Sequence, residues 1–205
     1  MNKILVVDYN AGNVDSVIKA LKIFNANVIF SKNLADLNNC SKIILPGQGT
    51  YDVAIKDLKE NGFYEKIIHK KNKENIPILG ICLGMQILSS FGYENNLKTS
   101  GLNLIAGKVI KLKTNPSKLP HIGWTNVKFV TTDKIFKDLG EEKDFYFIHS
   151  YKFLTLNKKN EIATSFYNEN FSSIVKYENA YGVQFHPEKS LGNGLKLIEN
   201  FLNLK

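Results

Sequence analysis

Gly80-Ile81-Cys82-Leu83-Gly84 sets a cysteine between two glycines, where an apolar run gives way to a helical one. This G-x-nucleophile-x-G spacing describes an elbow: the glycines permit a tight turn and close approach of the neighbouring strand. The cysteine then projects above a sheet at a helix start, where the dipole favours the thiolate, the reactive form. The backbone N–H of Leu83, next to the attacked carbon, can serve as one oxyanion donor. Taken alone, the pattern also fits a cysteine buried as a small hydrophobe. Cys40, in Asn38-Asn39-Cys40-Ser41, has no such setting and is assigned no role.

A second cluster lies in Tyr181-Gly182-Val183-Gln184-Phe185-His186-Pro187-Glu188-Lys189-Ser190. In an extended segment His186 and Glu188 point the same way, and Pro187 is expected to keep the segment extended and rigid. A carboxylate beside an imidazole fixes its tautomer and steadies the imidazolium formed during turnover. Cys82 and His186 stand 104 residues apart (186 minus 82), so the sequence leaves their contact open, and a surface His beside a surface Glu is the plainer alternative. A third piece, Pro46-Gly47-Gln48-Gly49, follows a strand-like run, where glycines let backbone amides face a substrate oxyanion. Gly12 and Asn13, after the first strand, lack a G-x-G-x-x-G pattern, which argues against a dinucleotide site.

These pieces need a scaffold, and the hydrophobic periodicity describes one. Strands are expected at 3–7, 28–30, 43–45 and 76–81. Helical runs follow through Val14, Val17, Ile18, Leu21 and Phe24, through Val53, Ile55 and Leu58, through Ile67 and Ile68, and over 83–88. Such alternation implies a mainly parallel sheet covered on both faces. The second half changes to close-spaced strand candidates at 109–112, 127–130, 145–148, 162–167 and 174–177, joined by hairpin-like turns. An amphipathic helix over 194–202 closes the chain. No linker, repeat or low-complexity segment interrupts it, so one α/β domain over 1–205 with an antiparallel extension is expected.

Charge is the main competing signal. The 205 residues carry a net charge of +8, which brings a nucleic-acid partner into consideration. All 27 basic residues are lysines, however, and the planar Arg fork that reads phosphates and guanine edges is missing. The lysines are scattered, with short clusters such as Lys70-Lys71, and read as a solvated surface with no nucleic acid. Neither a signal-like N-terminus nor a 20-residue apolar run occurs, so two free thiols in a reducing cytoplasm, away from membranes, are expected. Metal-ligand spacing is absent as well.

Gly80-Ile81-Cys82-Leu83-Gly84-Met85-Gln86, together with Gln184-Phe185-His186-Pro187-Glu188, resembles the class I, triad-type glutamine amidotransferases. Asp8-Tyr9-Asn10-Ala11-Gly12-Asn13, Pro120-His121-Ile122-Gly123-Trp124, Tyr146-Phe147-Ile148-His149-Ser150-Tyr151 and Glu188-Lys189-Ser190 narrow this. They look like the glutaminase subunits of imidazole glycerol phosphate synthases, from histidine biosynthesis. The resemblance spans the chain in order. It implies a flavodoxin-like fold, no cofactor, glutamine as substrate, and a heterodimer with a (β/α)8-barrel cyclase that receives the ammonia.

Residue by residue, the resemblance makes Cys82 the nucleophile, His186 the acid/base and Glu188 its orienter. Gln48, Gly49 and Leu83 supply oxyanion-hole amides. Gln86 and Glu94 hold the amino-acid end of glutamine, and the Ser150-Tyr151 backbone meets its carboxylate. Trp124, Tyr146 and Lys189 match positions at the ammonia exit and cyclase interface; otherwise they would read as core aromatics and a solvated charge. His121 and His149 are taken as structural, and His69 as exposed. The chain departs from the family at Gln48, usually Val, and at Thr125, usually Asn. Thr125 leaves room for a related glutaminase that feeds ammonia to surface-sugar amidination. A non-catalytic regulatory α/β domain is the remaining alternative, against which the His186–Glu188 pair stands.

Overall fold

The computed structural model describes residues 3–10, 12, 14–95 and 97–204; Ala11 and Asn13 of the first motif lie outside them. In chain order the first half runs β1 (Lys3–Val7), α1 (Asp15–Ile23), β2 (Asn27–Ser31), α2 (Ala35–Asn38), β3 (Cys40–Leu45), α3 (Tyr51–Glu60), α4 (Phe63–Glu74), β4 (Ile78–Ile81) and α5 (Leu83–Ile87). The second half runs β5 (Phe91–Glu94), β6 (Leu97–Ser100), β7 (Gly107–Lys111), β8 (His121–Phe129), β9 (Glu142–His149), β10 (Tyr151–Thr155), β11 (Glu161–Tyr167), β12 (Glu169–Tyr177), β13 (Ala180–Val183) and α6 (Leu191–Leu202).

Among the described residues, nine strands form one sheet in the order β2-β1-β3-β4-β13-β12-β11-β8-β9. Strands β2, β1, β3, β4 and β13 are parallel, and the remaining four extend the sheet antiparallel. The fold is therefore α/β, with a largely parallel centre flanked by helices. Its reason is visible in β1. Successive side chains alternate faces, so Ile4 and Val6 enter one core beside Val17 and Leu21, while Leu5 and Val7 enter the other beside Ile55 and Leu58. A strand buried on both faces has to be apolar throughout, which is why these runs do not alternate in sequence.

Four points depart from the sequence reading. β13 was legible only as an extended segment, yet it pairs with β4 in the middle of the sheet. A second sheet, β10-β7-β5-β6, was not anticipated, because its short strands lack a continuous apolar run. Val53 is exposed, and the buried face of α3 is instead Tyr51, Ala54, Ile55 and Leu58. Lys70 and Lys71 are buried along with Lys42 and Lys152, not solvated. Long lysine stems pack against apolar surface while their ammoniums find acceptors: Lys70 meets Glu74 at 2.8 Å, Lys152 meets Glu169 at 2.5 Å, and Lys71 pairs with Glu178. His69 is exposed, as expected.

Candidate active site

Three adjacent parallel strands, β3, β4 and β13, end side by side, and each delivers one of the pieces read from the sequence. Leu45 pairs with Gly80, and Gly80 with Gly182. The loop 46–49, Cys82 and the segment 184–188 therefore emerge together at the carboxyl ends of the strands, where open α/β sheets collect ligands. The 104-residue gap between Cys82 and His186 closes through this pairing, and the Cys82 N–H donates to the Val183 carbonyl at 2.8 Å.

The elbow is tight. Cys82 takes φ +53 and ψ −106, a setting L side chains rarely adopt and one that marks strain at functional positions. Gly84 accounts for the turn: a Cβ there would come within 1.8 Å of the Leu45 carbonyl oxygen. α5 spans only five residues, a short element for a helix dipole.

His186 shares the cleft with Cys82. Its side chain is 3% exposed, Nδ1 lies 2.8 Å from Glu188 Oε1, and Glu188 is 4% exposed. With Nδ1 engaged, Nε2 is the ring nitrogen left to act on the sulfur of Cys82, which lines the same cleft. Burial alone would lower the pKa of this imidazole. The hydrogen bonds to Cys82 and Glu188 and the negative charge of both outweigh it and push the group up to about 10. A charged imidazole backed by a carboxylate, in the same cleft as a cysteine, is a proton donor placed beside a nucleophilic side chain.

The local backbone corrects one expectation. Pro187–Lys189 forms a 3₁₀ turn rather than an extended run. Proline suits the first position of a helical turn, and the Lys189 N–H closes that turn on the His186 carbonyl at 3.0 Å. Ser190, which the sequence reading gave no role, clamps it. Its hydroxyl donates to the His186 carbonyl at 2.6 Å and accepts the Tyr146 N–H at 3.0 Å.

Cys82 and His186 open into a cleft of about 430 Å³ also lined by Gln48, Gly49, Leu83, Gln86, Glu94, Ser150 and Tyr151. Every residue expected in the oxyanion hole or on the substrate is thus in one cleft. Gly49 has φ +122. The Tyr9 hydroxyl donates to the Pro46 carbonyl and anchors the same loop. Burial pushes the Glu94 carboxyl above the usual range, against the lowering effect of the Tyr51 N–H, which it accepts at 2.6 Å. Gln86 Nε2 donates to the Tyr151 carbonyl at 3.2 Å and to Gln184 Oε1 at 3.1 Å. Gln184, fully buried and not singled out from sequence, in turn places Nε2 3.6 Å from the Cys82 sulfur. Its position inside the Gln184-to-Glu188 motif was the available signal.

Trp124, Tyr146 and Lys189 lie outside the cleft. The Trp124 and Tyr146 rings meet edge to face at 5.9 Å on the outer side of β8 and β9, where Trp124 is 50% exposed. Lys189 is half-buried at the end of the turn. Among the described residues no helix is long and apolar enough to cross a membrane.

Residues 5–204 match the family model for glutamine amidotransferase class-I. The imidazole glycerol phosphate synthase subunit HisH 2 of Methanococcus maripaludis is 41% identical over 200 residues, covering 97% of this chain and 98% of that protein. Subunit HisH of Pelagibacter ubique is 41% identical over 207 residues, covering 98% and 99%. Among solved structures, PurLQS from Thermotoga maritima superposes with a TM-score of 0.76 over 98% of each chain, at 21% identity, a likeness of fold alone. The chain belongs to the class-I glutamine amidotransferases, and within them to the family of the imidazole glycerol phosphate synthase subunit HisH.

Proposed function

We propose that this chain, acting as one unit over 1–205, hydrolyses glutamine and passes the ammonia to a (β/α)8-barrel cyclase subunit. That subunit would use it to form imidazole glycerol phosphate and AICAR in histidine biosynthesis. The observation that carries the reading is the buried Cys82–His186–Glu188 array at the floor of an amino-acid-sized cleft. The relatives named above support the pathway.

The Cys82 thiolate attacks the carbon of the glutamine side-chain amide, and the oxyanion takes backbone N–H donors at Gln48, Gly49 and Leu83. Each well-placed donor contributes about 3–4 kcal/mol. His186 gives its Nε2 proton to the amide nitrogen as the C–N bond breaks, which leaves a glutamyl thioester and NH3. The same nitrogen then takes a proton from water as the water attacks the thioester. Glutamate leaves and the thiolate returns. Glu188 holds Nδ1 throughout and steadies the imidazolium.

The cleft also suits the other end of glutamine. Both N–H groups of the Gln86 amide are used within the protein, so that side chain offers the substrate only its oxygen. With Glu94, it makes an acceptor pair for the α-ammonium. The Ser150–Tyr151 backbone receives the carboxylate. Trp124, Tyr146 and Lys189 form the barrel-facing rim, through which ammonia leaves unprotonated by a dry route.

Cys82→Ala should abolish glutamate release, a loss of at least about 10⁴-fold, with the fold retained, and Cys40→Ala should leave the rate within about twofold. Wild-type turnover should rise by orders of magnitude when the barrel partner carries its acceptor, because the glycines of the 46–49 loop let it switch by a peptide flip. Glutamate release by Cys82→Ala in the partner's presence would refute the nucleophile. Full activity of the isolated chain would refute the gate.

A further inference from the structure

From His149 in the cleft wall, a line of buried polar side chains that the mechanism does not use runs back into the protein. His121 and His149 oppose each other across β8 and β9, 2% and 5% exposed. Thr125 Oγ1 stands 2.8 Å from His121 Nε2, and His121 Nδ1 stands 3.0 Å from His149 Nε2. His149 Nδ1 is 2.8 Å from the Tyr151 carbonyl oxygen. Aromatic rings enclose both imidazoles. Phe147 and Tyr167 stack on His121 with centroids 5.0 and 4.0 Å away, and Phe171 lies 5.1 Å from His149.

Burial pushes His121 down to about 4, and burial, aided by the charges of His121 and His186, pushes His149 down to about 3. At pH 7 each ring is therefore neutral, with one donor nitrogen and one acceptor. That fixes the direction of every hydrogen bond in the line. A carbonyl only accepts, so His149 carries its proton on Nδ1 and accepts at Nε2. His121 must then donate from Nδ1 and accept at Nε2, and the Thr125 hydroxyl must donate to it. No other assignment of protons satisfies all three contacts.

The final acceptor belongs to the cleft. The Leu112 N–H binds the Ser150 carbonyl at 2.9 Å, which directs the N–H and C=O of Tyr151 to the opposite edge of β10, away from β7. His149 and Gln86 together hold that carbonyl. The origin of the line is Thr125, the residue after exposed Trp124. Between His121 and Thr125, Gly123 takes φ +138, open to glycine and strained for other residues.

We propose that His121 and His149 are positioning residues of the glutamine site. A one-way relay from Thr125 through both rings to the Tyr151 carbonyl sets the Ser150–Tyr151 edge that receives the substrate carboxylate. This rests on the glutaminase reading above. Thr125→Val keeps side-chain shape and strand preference while removing the donor, and Thr125→Ser restores it. Assayed as the full chain with its barrel partner, Thr125→Val should raise the glutamine KM about five- to tenfold. Its kcat should stay within twofold, and Thr125→Ser should return KM to near the wild-type value. Nitrogen-15 NMR of the wild type should find the Nδ1–H tautomer on both rings. An unchanged KM in Thr125→Val, or an Nε2–H tautomer on His149, would overturn the relay while leaving the glutaminase intact. A wild-type complex that hydrolyses no glutamine would instead overturn the glutaminase reading, and the relay's role with it.

Discussion

His186 and His149 are alike in type and in burial, 3% and 5% exposed, and close enough that the charge of one bears on the other. Their chemistry is opposite. His186 lies between a sulfur and a carboxylate and is pushed up to about 10; His149 lies between a carbonyl and a neutral ring and is pushed down to about 3. Burial opposes charge on both. What differs is whether the partners can carry a negative charge. The contrast separates two environments in this half of the molecule: one favours the charged ring, the other the neutral one.

The sharpest break in that contrast is Glu188→Gln. It keeps a group near Nδ1 but removes the charge, and it allows the wrong tautomer. The rate of glutamate release should fall by roughly 10²–10⁴-fold, and the NMR titration of His186 should move well below its wild-type position. If the rate falls while that titration stays in place, the carboxylate acts by something other than charge.

Stability against pH should come next in size. The raised His186 contributes stability that is complete below the ordinary value of about 6.5 and is lost as pH rises through about 10. The lowered rings do the reverse: their contribution is complete above about 6.5 and is lost as pH falls toward 4 for His121 and 3 for His149. Unfolding free energy should therefore peak near neutrality, with each titration worth at most about 1.4 kcal/mol per pH unit inside its window. Urea denaturation between pH 5 and 9 can measure both limbs. Glu188→Gln should flatten the alkaline limb, and His149→Asn, which keeps a donor for the Tyr151 carbonyl, the acid one. Two limbs as steep as wild type in these variants would remove the histidines as their source.

The smallest expected effect lies outside both environments. Lys189→Ala should change stability by less than about 0.5 kcal/mol and leave the His186 titration alone. It should raise the ratio of glutamate formed to ring product when both are followed with the barrel partner present. An unchanged ratio would exclude Lys189 from the ammonia route.

Much of the site was legible because its residues are forced by local geometry. Gly84 has to be glycine where a Cβ would meet the Leu45 carbonyl, so the elbow announces itself in five residues. Pro187 was read as a stiffener of an extended run and proved instead to start a turn, since its fixed φ serves both. Gln184 and Ser190 went unassigned because amide and hydroxyl side chains bond wherever a partner stands, and their partners, Cys82, Gln86 and Tyr146, come from elements distant in sequence. β13 was hidden for a related reason: four residues of β-compatible sequence become a central strand only when β4 and β12 are there to pair with them.

Sequence by itself determined the elbow around Cys82, the α/β alternation, the imidazole–carboxylate pair and the family, because each rests on short-range spacing or on motifs kept in order. Tertiary structure decided that Cys82 and His186 line one cleft, that four lysines lie buried, and that His121 and His149 form a neutral line to Tyr151. Those outcomes depend on which strands pair and in what register. The register sets Trp124 opposite Tyr146 and His121 opposite His149. A slip of one residue along β8 would turn its inward side chains out and its outward ones in, breaking the relay at His121 without altering a single motif.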